Sequence, residues 1–440
     1  MRRLPSTKLI LSFATLLVLL LIAAVGLAAC GGGDETATTA ASTPTTAPAT
    51  TTAPTTAGTG SSETTATSAA SGPATGTPYK VGILTNTSGD LGFIGKWVVD
   101  SMQLEVDKIN AEGGINGHPI ELVVQDDGYD QTKGAAGFTK LAEDPSVLAI
   151  TGTIASILMP SLTALAEQKE IPYVSCAPEN PTIREQNLKW SFYGAADEFL
   201  NAAAILDIVE AKGFKSAVVF SHNDPNSLSV ANAFVKKATE AGLQAVLLPD
   251  GVDIGTVDIT PQANKLKALA DKQGADCIIS TVWPNLTGTL VKTMAGIGLS
   301  LPVVAYGLNA DVSTLAMGGP ELNGVMLPGP KVVAASWLPD TDPQKAVLVD
   351  FINRYQAKYN HAPGQVEAGA ADCILWIAAA LKASGDDRAK LRDALGAVKN
   401  LVGPFAIRTM GKEGDRTGIE PGLFVPMVIK DMQFVELKLQ

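Results

Sequence analysis

The chain has 440 residues, with 33 Lys and Arg against 44 Asp and Glu and a formal net charge of −11 at pH 7. That balance argues against nucleic acid or another polyanion as partner. Its four cysteines lack metal-site spacing, so no metal and no cofactor is expected, and Cys176, Cys277 and Cys373 read as buried free thiols.

The first residues do not read as fold. Arg2, Arg3 and Lys8 form a positive start, and Leu9–Val25 is an apolar run without charge. Leu27-Ala28-Ala29-Cys30 follows, small residues and then a cysteine, which resembles a bacterial lipoprotein cleavage site. A transmembrane anchor is the competing reading, since Leu9–Ala29 is long enough to span. The expectation is a signal peptide over 1–29, lipid on Cys30, and export to the outer face of a membrane. Residues 30–78 are nearly all Thr, Ala, Pro, Ser and Gly, too poor in apolar surface to offset their ordering entropy. As a flexible tether they would reach roughly 40 Å.

Residues 79–440 are too many for one core and enough for two domains. Val81–Leu84 is a short apolar run, followed by a polar, glycine-bearing loop over Asn86–Gly92. Val98, Met102, Val106 and Ile109 recur at helical spacing; Gly113-Gly114 stops that helix and Ile120–Val124 is a second strand. Strand, loop, helix, strand is the unit of a parallel sheet, whose carboxyl edge is where open α/β folds bind ligands. The alternation continues with strands at Val147–Ile150 and Pro172–Val174 around a helix at Ser156–Lys169. Gly194–Asp197 is a small-residue stretch suited to a hinge.

A second series follows, with strands at Ala217–Phe220, Ala245–Leu248, Cys277–Ser280, Val303–Ala305 and Val325–Leu327. Helices are expected between them at Leu228–Ala241, Pro261–Lys272 and Thr287–Ile297, after one at Phe199–Ala211. Pro328–Pro343 reads as a turn-rich passage. Helices at Pro343–Tyr359, Gln365–Ala383 and Ala389–Val398 precede a strand-like segment at Gly403-Pro404. Phe424–Ile429 and Phe434–Leu437, joined at Lys430-Asp431, read as a closing hairpin.

The pattern of strand, Thr87-Ser88-Gly89 loop, helix ending in Asp107–Asn110, then Glu112-Gly113-Gly114, Asn116-Gly117, a strand and Asp126-Asp127 resembles the type I periplasmic solute-binding proteins. Among them it is most similar to the branched-chain amino-acid-binding family of ABC importers. The resemblance runs from Tyr79 to the C-terminus. It implies a two-lobed α/β fold, each lobe a mostly parallel sheet flanked by helices, with three crossings near Asp197, Pro328 and Gly422. The lobes would comprise 79–197 with 331–422, and 198–330 with 423–440, closing over a ligand between them.

The residues themselves offer little for catalysis. His118, His222 and His361 form no constellation, and His118 is expected at the surface. Ser156 lacks the flanking glycines of a nucleophile elbow. Gly95-Lys96 suggests a P-loop, but Asp90 and Trp97 replace its glycine and hydroxyl residues. A flavodoxin-like or hydrolase-like enzyme remains open from architecture alone. Asp126-Asp127 could be a carboxylate pair, but a structural role after a strand is the stronger reading, with Asp130 capping the next helix.

What the resemblance implies is a binding site. Ser156 stands where the family places a hydroxyl at the third strand's turn into its helix, a setting that favours a ligand carboxylate; the bland alternative is a helix cap. Ala177 would offer its backbone, and Glu179 replaces a threonine of the family. Phe93 and Ile94 would form an apolar wall, and Trp283 takes the place of a tyrosine that closes over the ligand. The family's acid for a ligand ammonium is missing from Tyr306-Gly307-Leu308-Asn309, where Asn309 is the polar candidate. A ligand without an amine is therefore expected. The reading is a monomeric, lipid-anchored binding protein, not an enzyme, that delivers a small amino-acid-like or carboxylate solute to an ABC permease. A ligand-sensing lipoprotein feeding a signalling receptor is the alternative.

Overall fold

The computed structural model describes residues 74–89, 92–179, 181–412 and 414–439. Cys30, the signal segment and the tether as far as residue 73 lie outside the described residues. In chain order the first series is β1 (Tyr79–Thr85), α1 (Gly92–Ala111), β2 (Ile120–Asp126), α2 (Gln131–Glu143), β3 (Val147–Thr151), α3 (Met159–Lys169), β4 (Tyr173–Ser175), α4 (Pro181–Arg184) and β5 (Ser191–Tyr193). These strands form one parallel sheet in the order β2-β1-β3-β4-β5. β1 sits inside that sheet with Val81, Ile83 and Leu84 fully buried. α1 ends as its glycines dictate: Gly113 and Gly114 take φ of 101° and 69°, and Gly114 N–H donates to the Ile109 carbonyl.

The second series is α5 (Glu198–Ala211), β6 (Ser216–Ser221), α6 (Pro225–Glu240), β7 (Gln244–Leu247), α7 (Thr260–Gln273), β8 (Cys277–Thr281), α8 (Pro284–Gly296), β9 (Val303–Ala305), α9 (Val312–Gly318) and β10 (Met326–Pro330). Then come α10 (Lys331–Ala334), α11 (Lys345–Tyr359), α12 (Gln365–Ser384), α13 (Arg388–Leu395), the short hairpin β11 (Leu401–Val402) and β12 (Ile407–Arg408), and finally β13 (Phe424–Lys430) and β14 (Gln433–Glu436). The second sheet runs β14-β13-β10-β9-β8-β6-β7, parallel except for the last two strands of the chain. β6 and β8 are buried along their whole length, as strands covered by helices on both faces must be.

Two lobes follow from the two sheets. The chain leaves the first after Tyr193, returns after Pro330 when α12 packs on α1, β3 and β4, and crosses again before Phe424. The α/β two-lobed architecture is thus the one the sequence pattern implies, with local differences. The passage expected at Pro328–Pro343 begins inside β10 and contains α10. β10 tolerates Pro328 and Pro330 because its pairing with β9 is confined to Met326 and Val304, so no ladder donor is missed on that side. The segment at Gly403-Pro404 is the turn of the β11–β12 hairpin rather than the start of a strand. The final hairpin turns at Asp431-Met432, both with positive φ, one residue later than expected.

Candidate functional site

The carboxyl ends of the two sheets face each other. α6 of the second lobe comes up to the single 3-10 turn at Ser156–Leu158 in the first. The charge of Asp224, three residues beyond β6, is felt by Tyr129 after β2 and by Tyr306 after β9. Burial, then Asp224, pushes the Tyr129 hydroxyl up to about 12.

On the first lobe, Ser156 opens that turn and is half-buried. Neither the turn nor α3 carries a side-chain cap, so the capping alternative does not describe Ser156. The Ala177 N–H, expected to face a ligand, donates instead to Ser175 Oγ at 2.9 Å. Glu179 is buried and accepts from Arg184 Nε at 2.8 Å. Arg184 also donates to Glu198 at 2.8 and 3.4 Å and lies 3.5 Å from Asp197, so one guanidinium serves three carboxylates. Desolvation raises the Glu179 carboxyl above its ordinary value, and Arg184 opposes that rise. Phe93 is 51% exposed with its ring edge-on to Trp97 at 5.0 Å, and Ile94 is half-buried. Asp126 is held well below the carboxylate range by Lys133, Ser88 and two backbone N–H groups, against the opposing effect of burial. Asp130 caps α2 through Lys133 N. His118 is half-buried and stacks on Tyr79 rather than standing clear at the surface.

The second lobe differs in kind. Trp283 precedes α8, and its backbone N–H donates to His222 Nδ1 at 3.1 Å. Because Nδ1 accepts, the neutral ring carries its proton on Nε2. Desolvation lowers the His222 pKa and so keeps the ring neutral. His222 Nε2 and Trp283 Nε1, both donors, are buried without a partner within the protein. Asp224 caps α6 with one oxygen, accepting from Asn226 N and Ser227 N, while its buried Oδ2 finds no partner. Tyr306 is 2% exposed; its hydroxyl lies near Ser227 Oγ but outside hydrogen-bonding geometry. A buried polar group left unsatisfied costs about 1–3 kcal/mol. Several lie together on the loops after β6, β8 and β9, although other buried polar atoms, Thr85 Oγ1 and Arg408 Nε among them, are likewise unpartnered.

Asn309 joins two of these loops. It is fully buried, its Nδ2 donates to the Val282 carbonyl at 2.9 Å, and its Oδ1 accepts from Thr287 Oγ1. It therefore ties the turn after β9 to the loop that presents Trp283. The sequence reading missed Tyr129, His222, Asp224 and Tyr306. Asp224-Pro225 was the available signal, a capping residue followed by proline at the first helical position. Among the described residues no cluster of His, Cys, Asp or Glu suits a metal ion, and no helix is long and apolar enough to cross a membrane.

Comparison with known proteins supplies the class. The profile of the periplasmic binding protein family matches residues 78–431. The chain is 24% identical over 297 residues to the Leu/Ile/Val-binding protein homolog 8 of Brucella abortus, covering 64% of this chain and 71% of that protein. An extracellular ligand-binding receptor from Rhodopseudomonas palustris shares the fold with a TM-score of 0.72 at 19% identity, over 82% of this chain and 99% of its own. The branched-chain amino-acid substrate-binding protein LivJ of Streptococcus pneumoniae, solved with isoleucine, gives a TM-score of 0.68 at 21% identity, over 81% and 97%. The chain belongs to the periplasmic binding protein family, of the type I fold. It is an extracytoplasmic solute-binding protein and not an enzyme.

Proposed function

We propose that this protein captures a small zwitterion, an α-amino acid with an apolar side chain, between its lobes and hands it to the permease of an ABC importer. The observation that carries this reading is Asp224 Oδ2, a buried acceptor without a partner, beside the donors His222 Nε2 and Trp283 Nε1 and opposite Tyr129. A buried ammonium needs an anion within reach. The sequence offers no acid at Tyr306–Asn309, and Asp224 replaces it from a different loop. Ser156 and the turn leading into α3 suit the ligand carboxylate, because free N–H groups and partial positive charge gather there. Trp283, with Phe93 and Ile94 across the cleft, suits the apolar side chain. Glu179 and Asn309 hold the loops in place, and Ala177 contributes shape. Lipid on Cys30 would keep this monomeric binding protein at the membrane beside its permease.

The test is calorimetry with leucine, isoleucine and valine against the matching carboxylates that lack the amine. Amino acids should bind and the carboxylates should not, with Asp224→Asn weakening amino-acid binding at least tenfold. Equal binding of both series, unaffected by Asp224→Asn, would return the ligand class to amine-free carboxylates.

A further inference from the structure

Two of the three cysteines that read as isolated thiols meet in space. Cys176 follows β4 and Cys373 lies in α12, yet their sulfurs are 3.2 Å apart across 197 residues of sequence. The meeting point is the first crossing between lobes. Gly194 N–H donates to the Ser175 carbonyl at 2.7 Å, and the Cys373 sulfur lies over Gly194 so closely that a Cβ there would stand 2.3 Å from it. A side chain at 194 would displace the Cys373 sulfur. Cys176 is half-buried and Cys373 fully buried, so one sulfur can be approached from outside and the other only through the first. The third thiol, Cys277, is buried in the second lobe, and burial pushes its pKa up to about 12.

We propose that Cys176 and Cys373 form a disulfide when the exported protein meets a disulfide oxidant, stapling the β4 loop to α12 within the first lobe. The Cys176 thiolate attacks one sulfur of the oxidant, a protein or small-molecule disulfide, and displaces its first thiolate. The Cys373 thiolate then attacks the Cys176 sulfur and displaces the second. Two thiols are oxidised by two electrons, and the two thiolates displaced from the oxidant take up, through solvent, the two protons that the cysteines release. The bond needs the sulfurs to close to about 2.05 Å, a movement of roughly one ångström. Cys373 is pinned against Gly194, so the β4 loop is the part that moves. The staple lies inside one lobe, so it leaves the opening and closing of the cleft free.

The full-length protein, recovered from the exported fraction and alkylated in denaturant without reductant, is digested and mapped by mass spectrometry. The expected result is a linked pair of peptides containing Cys176 and Cys373, with Cys277 alkylated. Reduced protein incubated with oxidised glutathione should form the same link and melt at a higher temperature than its reduced form. Cys176→Ser, at the half-buried position, should abolish that rise and keep the ligand affinity within twofold. Recovery of both cysteines alkylated after oxidised glutathione, or a glutathione adduct on Cys176 that does not resolve onto Cys373, would overturn the proposal.

Discussion

The polar groups buried at the first crossing and those buried on the second lobe's loops are partnered to different extents. At the crossing, Arg408 is fully buried and donates to the Gly194 carbonyl at 3.1 Å, to Asp372 at 3.2 Å and to the Thr417 carbonyl, while its guanidinium stacks over Trp376 at 4.2 Å. Arg184 gathers Glu179, Asp197 and Glu198 in the same way. On the second lobe, His222, Asp224 and Trp283 each keep one buried polar atom that nothing in the protein answers. The difference is one of degree: Arg408 keeps its Nε unanswered beside several made bonds, whereas on the second lobe three side chains close in the fold each keep one unanswered polar atom. Substitutions should therefore separate into those that cost stability and those that cost affinity.

The largest effect is expected from Arg408→Ala, which leaves Asp372 buried without its counter-charge. Breaking one side of such a pair costs about 3–5 kcal/mol. Urea unfolding should show that loss, while the fraction that remains folded binds ligand normally. An affinity change without a stability change would place Arg408 with the binding groups instead.

Glu367 sharpens the architectural side through pH. It caps the start of α12 by accepting from Gly364 N at 3.0 Å, and Asp311 of the second lobe faces Gly364. Desolvation, with a smaller push from Asp311, raises its pKa to about 7. The folded state thus holds this proton more tightly than the unfolded chain. Its contribution to stability is full below the unfolded value near 4.5 and is lost as pH rises through about 7. A shift of that size corresponds to about 3 kcal/mol. Glu367→Gln keeps the cap acceptor, so its unfolding free energy should be flatter across that window than the wild type's.

On the ligand side, Trp283→Ala should weaken amino-acid binding by about 2 kcal/mol, as for a buried aromatic anchor. Its melting temperature without ligand should move little by comparison. Ser156→Ala is the smallest of the set, about 1 kcal/mol if its hydroxyl meets the ligand carboxylate. Calorimetry that finds both variants unchanged and well folded would place the binding surface elsewhere.

Much of the fold could be read from the pattern of residues alone. β1, α1 and β2 run within a few residues of their expected positions, because a buried strand and a one-faced helix leave periodic apolar signals and glycine marks their ends. Helix starts were less legible: α6 and α8 begin at Pro225 and Pro284, three residues ahead of the apolar periodicity, where a proline occupies a position that needs no donor. That early start makes Asp224 and Trp283 the residues that immediately precede their helices.

The sequence by itself determined the alternation of strands and helices, the two series and the turns, because these depend on neighbours within a few positions. Only the tertiary structure decided what each polar residue does. Glu179 and Asn309 are candidates by their place in the sequence, and it is the fold that pairs Glu179 with Arg184 and ties the Asn309 amide to Val282 and Thr287. Asp224 read as nothing until Tyr129 stood across from it, and Cys176 and Cys373 as solitary until α12 folded back onto β4. Periodicity is a property of the local chain, but whether a buried polar atom has a partner depends on residues that can lie more than two hundred positions away.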